Sequence, residues 1–246
     1  MSTTLSTVDG RSVLRVERRL RRPPEEVWPA LVEPERLAAW FPSEATIEQR
    51  VGGKVVFGFG GDGTVTDLDP PRLIAFTWET DHLRFELSPD GGGSLLVLVH
   101  TFDDRGGAAS FAAGWEGCFD VLDGGSEGDH EARHERLLVE LGLLEPVVSG
   151  PVDGWEVRFE RQLVHPAARV WPALVASVDP AAVRESREPE LLELDLPTGR
   201  ERWTLGEGTG HGARLVLVRR GSGERARDEA AATVAARVES VLVGVR

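Results

Sequence analysis

Several residue types are nearly missing from this chain of 246 residues. It has one cysteine, Cys118, which excludes an intramolecular disulfide and a thiolate zinc cluster. Tyr and Asn do not occur, Met occurs once and Ile twice, and Lys54 is the single lysine beside twenty-seven arginines. Those scarce residues share AT-rich codons, so a GC-rich genome accounts for the arginine excess without any phosphate-binding role. Long apolar runs are missing too: the longest aliphatic stretch, Leu95 to Val99, is five residues and far short of a spanning helix. The opening MSTTLSTVDG lacks the basic-then-apolar pattern of a secretion signal. Basic charge is in deficit, 28 Lys and Arg against 41 Asp and Glu, a net of −13. This balance opposes binding to nucleic acid or to an anionic membrane, both of which need basic groups facing phosphate. The chain reads as cytoplasmic, with no nucleic-acid partner and no membrane insertion.

What is present is an ordinary globular mixture, 41% hydrophobic and 28% charged, long enough for one large domain or two small ones. An internal repeat decides between them. Residues 14–33 (LRVERRLRRPPEEVWPALVE) and 157–176 (VRFERQLVHPAARVWPALVA) agree at eleven of twenty positions with an offset of 143. Further on, 70–87 matches 188–205 at an offset of 118, and Leu95 to Val99 then corresponds to Leu215 to Val218. The fall in offset means that the second copy lacks about 25 residues, corresponding to the region around Phe41 to Asp69. The boundary is expected in the turn-rich segment EPVVSGPVDG, residues 145–154, giving domains 1–146 and 153–246. Charge divides unequally: residues 1–150 carry 14 basic and 26 acidic groups, residues 151–246 carry 14 and 15.

In the first copy, Ser12 to Leu20 alternates as a strand, and Pro23-Pro24 followed by Glu25 and Glu26 presets a helix start. A short helix pair ends near Leu37 to Trp40. Gly52-Gly53 signals a hairpin, with Lys54 to Phe59 as a strand placing Val55, Phe57 and Phe59 on one face. Thr64 to Leu68, Leu73 to Trp78, Leu83 to Leu87 and Ser94 to Phe102 read as further strands. Gly106 to Leu122 is a helix with Phe111, Trp115, Cys118, Phe119 and Leu122 on one stripe, and a second helix runs from Asp129 to Leu143. An antiparallel sheet must bury one face, and the amphipathic helix covers it. The expected fold is α+β: a helix-grip antiparallel sheet wrapped on a long helix, followed by a second, truncated copy.

The opening strand, PPEEVWPALVEPERLAAWFP, VGGKVVFGF, LLVLVHTF and AAGWEGCFDVL, in that order, resemble the SRPBCC or START-like superfamily (the START/Bet v-like folds). Within it they resemble the branch named for the activator of the heat-shock protein 90 ATPase, over residues 11–123. The resemblance implies a cavity between sheet and helix, with Trp40, Phe41, Phe57, Phe59, Trp78, Phe85, Leu98, His100, Phe111 and Trp115 at or near it. Aromatic-lined concavities with few polar groups suit small apolar ligands, although such side chains also simply fill cores.

His100 shares a strand face with Leu96, Leu98 and Phe102, so it points inward, either as a hydrogen-bonded core residue or as an acid/base. His82 is expected in a solvated turn, and Glu79 with Asp81, near a strand end, are a candidate carboxylate pair that reads better as solvated surface. His130-Glu131-Ala132-Arg133-His134 matches H-E-x-x-H, which on a helix places two imidazoles on one face for zinc. Here it opens a polar helix after GGSEGD, so it reads as a capped helix start, with His130 and His134 as weak metal candidates. No nucleophile elbow, P-loop or dinucleotide fingerprint occurs. The shortened copy retains Trp155, Trp171 and Trp203 and a helix from Asp228 with Ala232, Ala235, Val238, Val241 and Leu242 on one face. It is expected to hold little pocket and to act in docking or support.

The leading expectation is a non-enzymatic module holding a small hydrophobic or aromatic molecule, with no cofactor, as a monomer or dimer. The alternatives are a co-chaperone that activates heat-shock protein 90 through a protein partner, and a polyketide-cyclase- or hydrolase-like enzyme using His100.

Overall fold

The computed structural model describes residues 1–210 and 212–245. The chain divides into two compact units, Met1–Leu137 and Leu138–Arg246. The division falls inside a helix, upstream of the 145–154 segment.

The first unit opens with a strand that its polar composition conceals, β1 (Ser2–Val8), joined to β2 (Arg11–Leu20). Asp9 and Gly10 between them have φ of 50° and 81°, the pair of positive values that a tight hairpin turn needs and that Asp-Gly favours. There follow α1 (Pro24–Val32), α2 (Pro34–Leu37), β3 (Ala45–Ile47), β4 (Lys54–Phe57), β5 (Asp62–Asp69), β6 (Leu73–Trp78), β7 (Asp81–Asp90), β8 (Gly93–Phe102), α3 (Ala108–Leu122) and α4 (His130–Glu140). At α1, Pro23 is extended, Pro24 takes the first turn where its missing N–H is harmless, and Glu25 and Glu26 sit at the positive end of the helix dipole.

The eight strands form one antiparallel sheet in the order β1-β2-β8-β7-β6-β5-β4-β3. Its inner face buries Leu14, Val16, Leu83, Phe85, Leu96 and Leu98 completely or nearly so. On α3, Ala108, Ala109, Ala112 and Ala113 are buried, small enough for close approach, while Trp115, Phe119 and Leu122 supply bulk. Burial of a side chain such as Phe119 or Leu98 contributes about 1.5–3 kcal/mol. The other flank of α3 meets α4 through charge. Glu116, 5% exposed, accepts from Thr3 Oγ1 at 2.7 Å and from Arg136 Nη2 at 2.5 Å, with Arg133 at 3.6 Å. Asp120 pairs with Arg18 at 2.9 Å and Arg133 at 2.7 Å. A carboxylate as buried as that of Glu116 is tolerable only when paired and hydrogen-bonded.

One strand departs from its expected extent. The Lys54 to Phe59 alternation stops at Phe57, because Gly60 and Gly61, at φ of 90° and 77°, turn the chain. Phe59 therefore leaves the inner face and is 82% exposed.

The second unit contains β9 (Val147–Ser149), β10 (Trp155–Gln162), α5 (Ala167–Ala176), β11 (Val183–Arg187), β12 (Leu191–Leu196), β13 (Gly199–Glu207), β14 (Ala213–Gly221) and α6 (Glu224–Leu242). Its strand order, β11-β12-β13-β14-β10-β9, is that of the first unit's β5-β6-β7-β8-β2-β1, without β3 and β4. Even single hydrogen bonds recur. Arg72 N donates to Asp69 O and Leu87 N to Arg72 O, as Glu190 N does to Arg187 O and Leu205 N to Glu190 O. Trp155, Phe159, Trp203, Leu215 and Leu217 form the core with Ala230, Val234, Val238, Val241 and Leu242 of α6. Of the face expected on α6, Val238, Val241 and Leu242 are buried and Ala235 packs against the core, while Ala232 is exposed and Ala230 and Val234 take its place. Each unit is thus α+β, an antiparallel sheet closed by a long helix, and the second lacks two strands. Among the described residues no helix is long and apolar enough to cross a membrane.

Candidate functional site

The face between sheet and α3 gathers most of the expected aromatic residues into one cluster. Strand alternation aims Phe57 of β4, Phe76 and Trp78 of β6 and Phe85 of β7 at Trp115 and Phe119 of α3, and Trp40 and Phe41, just after α2, complete it. Phe57 and Trp78 stack with centroids 4.2 Å apart and planes 9° apart. Phe41 lies 5.8 Å from Trp78 and 5.6 Å from Trp115, and Phe85 5.9 Å from Trp115. Trp40 Nε1 donates to Ala30 O at 2.8 Å, which fixes that ring from the α1 side. Leu98 is fully buried, while Trp78 and Phe111 are half-buried and mark the cluster's edges. These rings lie against one another in the space that the resemblance assigns to a ligand.

A polar chain enters the apolar surroundings at one end. His100 points inward as expected, with its side chain 4% exposed. Trp115 Nε1 lies 3.2 Å from its Nδ1 and Asp81 Oδ2 lies 2.8 Å from its Nε2. Since indole N–H can only donate, Nδ1 is the acceptor, and the imidazole proton resides on Nε2, donated to the carboxylate. Phe102 and Phe111, each 4.8 Å away, enclose the ring. Both His100 nitrogens are therefore engaged within the protein, so proton transfer to another molecule requires breaking one of these bonds. Asp81, Phe76, Phe102 and Phe119 were not among the expected site residues. Asp81 was detectable in principle: it precedes Leu83, Phe85 and Leu87 by steps of two and so shares their face.

Residues 21–125 match the family described as "Activator of Hsp90 ATPase homolog 1-like protein". The match falls within the first unit, which is similar to this family over most of its length. Its fold is the SRPBCC-type helix grip. A conserved protein of unknown function, EF2215, from Enterococcus faecalis is similar at 23% identity over 58% of this chain and 92% of that one, with a TM-score of 0.52. CalU16 from Micromonospora echinospora is 24% identical over 56% of this chain and 94% of its own, with a TM-score of 0.47. No curated protein matches the chain.

Other candidate residues of the first unit are placed apart from the cluster. Phe59 stands in solvent on the 58–61 turn, whose Gly61 lies against the Glu79 side chain. His82, expected to be solvated, is half-buried on the sheet's other face and bonds Thr66 Oγ1 at 2.9 Å. Burial pushes its pKa below the usual 6.5, opposed by Asp67 and assisted by Arg84 and Arg11. Cys118 is buried, and desolvation with Glu127 nearby raises its thiol to about 12, which leaves it protonated and inert. His130 and His134 share one side of α4 with ring centroids 6.4 Å apart. His134 is fully buried, with neither ring nitrogen hydrogen-bonded, and His130 is lowered in pKa by burial and then by His134 and Arg133. Among the described residues no group of three or more His, Cys, Asp or Glu side chains is arranged to hold a metal.

The second unit, expected to hold little pocket, has among its described residues open recesses of about 900 Å³ and about 540 Å³. The smaller is lined by Leu194, Leu196, Glu201, Arg219 and Arg237 among others. Here Glu201, 3% exposed, lies 3.5 Å from Arg219 and 3.6 Å from Arg237 and accepts from Trp203 Nε1 at 2.7 Å.

Proposed function

We propose that the first unit is a START-like binding module that takes a small hydrophobic or aromatic molecule between its sheet and α3. The observation that carries this reading is the Phe57–Trp78 stack at the half-buried edge of the aromatic cluster. A flat apolar molecule entering there exchanges ring–ring contact for ligand–ring contact of the same kind, so little packing energy is lost. Phe59, on the neighbouring turn, supplies an aromatic side chain able to cover the entrance, and the turn's two positive-φ glycines give it freedom to move. His100 acts in this reading as a positioning residue that holds Trp115; its saturated nitrogens do not favour a cyclase- or hydrolase-like role. The repeated strand order and hydrogen bonds support a tandem duplication with domains 1–146 and 153–246, the second a supporting copy. The acidic balance and the lack of a spanning helix among the described residues favour a cytoplasmic setting.

The test uses anilinonaphthalene sulfonate as the apolar probe on the full chain. Saturable one-to-one binding, lost in Trp78→Ala and weakened in Phe59→Ser with unchanged circular dichroism, is the expected result. Binding that is non-saturable, or indifferent to both substitutions, overturns the reading. The family description favours a second reading, a protein-docking role on an Hsp90-type chaperone. Stimulation of that chaperone's ATPase by the wild-type chain and by Trp78→Ala alike selects it instead.

A further inference from the structure

The two sheets expose four edges, and three of them are blunted. β3 and β9 have three residues each, and β11 places Arg184, Glu185 and Arg187, all exposed, within five residues. Short or charged edges are how sheets avoid pairing with a stray strand. The fourth edge, β1, has neither device. It is seven residues long, reads Ser-Thr-Thr-Leu-Ser-Thr-Val, and carries no charge and no proline. β2 is its sheet neighbour, and Ser2, Thr4, Ser6, Thr7 and Val8 are exposed. An unprotected edge in a chain that otherwise protects its edges is a pairing surface.

We propose that two copies of this chain associate through β1, edge to edge and antiparallel about a two-fold axis at Leu5. The partner is a second copy because the strand is self-complementary on reversal. Over the central five residues Thr3 then faces Thr7 of the second copy, Thr4 faces Ser6, and Leu5 faces Leu5, so hydroxyl residues oppose hydroxyl residues and leucine opposes leucine; only at the ends does Ser2 face Val8. Strand alternation keeps both sheets in phase. Thr3, whose hydroxyl reaches Glu116 on the α3 side, lies on the same face as Leu5 and Thr7 in each copy, so both α3 helices fall on one side of a continuous sheet. Charge does not oppose the approach there. β1 itself is uncharged, and each arginine of β2 beside it is paired with a carboxylate, Arg11 with Asp103, Arg15 with Glu17, Arg18 with Asp120 and Arg19 with Asp90, so no unpaired charge of one sign stands along this edge.

The experiment is light scattering coupled to gel filtration on the untagged full chain at micromolar concentration. The wild type is expected at twice 26.8 kDa. Thr4→Glu with Ser6→Glu sets glutamate against glutamate twice across the axis and is expected to return the mass to 26.8 kDa, with an unchanged circular dichroism spectrum. Thr4→Lys with Ser6→Glu sets opposite charges across the same axis and is expected to restore the dimer. A wild type that is monomeric throughout the range overturns the proposal, as does a Thr4→Glu, Ser6→Glu chain that remains dimeric. Hydrogen exchange gives a second readout: β1 amides gain protection as concentration rises, and flat exchange likewise overturns the proposal.

Discussion

Replacing Trp115 by phenylalanine removes the one donor that reaches His100 Nδ1, at 3.2 Å, while keeping an aromatic ring on α3. The imidazole is 4% exposed, so water cannot take the donor's place. An orphaned buried acceptor costs about 1–3 kcal/mol. The lost ring atoms add about 1 kcal/mol, the scale of one buried methylene or slightly more. The expected total is about 2–4 kcal/mol. At the other end, Asp81 is 27% exposed, so in Asp81→Ala a water replaces the carboxylate and the loss is smaller, about 0.5–1.5 kcal/mol. Packing and hydrogen bonding separate in a double-mutant cycle with His100→Leu, read by urea unfolding with matched m-values. Removing the imidazole first leaves nothing for Trp115 to satisfy, so the two substitutions are expected to couple by about 1–2 kcal/mol. Additivity within about 0.3 kcal/mol would sink the argument that the indole sets the imidazole tautomer. So would nitrogen NMR that places the His100 proton on Nδ1.

His82 and His130 both have folded pKa values below 6.5, so each resists protonation in the folded state. Their stabilising preference for the neutral form is complete above about 6.5 and is lost as pH falls from there through the lowered folded values. Unfolding midpoints should therefore fall on acidification below that point, and less steeply in His82→Gln and in His130→Gln; parallel curves would contradict both shifts. Glu116→Ala should destabilise the first unit by about 2 kcal/mol in chemical denaturation, less than the 3–5 or so of a sealed pair because Arg136 is 44% exposed and finds water; no change would mean the α3–α4 ion pairs are ornamental. Gly63→Ala should impair folding, because a Cβ there would stand 1.9 Å from Thr77 O, a backbone atom that cannot step aside; wild-type thermal stability would refute that contact.

The parts of the fold that sequence revealed are those where one period dominates. β6 reads Leu-Ile-Ala-Phe-Thr-Trp, and α3 places Trp115, Cys118, Phe119 and Leu122 on one stripe, so both were legible from apolar spacing. β1 was not, because an edge strand of Ser and Thr buries almost nothing, and pairing to β2 rather than hydrophobic content makes it a strand. Phe59 misled for a different reason: Val55 and Phe57 alternate with it, and only the backbone geometry of Gly60 and Gly61 decides that the strand has already ended. At the site, the aromatic residues were visible as types, but the His100–Asp81 bond depends on a register in which Leu83 pairs with His100 across β7 and β8. Register is a long-range quantity, and a single sequence without a matching partner strand does not display it.

The same register explains why the apolar-ligand reading belongs to the first unit. Leu14 and Leu83 flank His100 in one sheet; Val157 and Glu201 flank Arg219 in the other, at the same crossing of strands. Where the first unit has rings, the second has a buried carboxylate between two guanidiniums, with Arg237 also over the Trp203 ring at 5.4 Å and Arg219 bonded to Thr233. An apolar molecule entering the 540 Å³ recess there would have to displace water from these charges without replacing its hydrogen bonds, which opposes binding. The ion pairs instead tie β13, β14 and α6 together, a task that the missing β3 and β4 leave to fewer strands. Glu201→Leu with Arg219→Leu then becomes informative: it orphans the buried Trp203 Nε1 and leaves Arg237 without its carboxylate, so a loss of about 1–3 kcal/mol in the second unit is expected, with probe binding at Trp78 in the first unit unchanged; undiminished stability would refute the structural role of these ties.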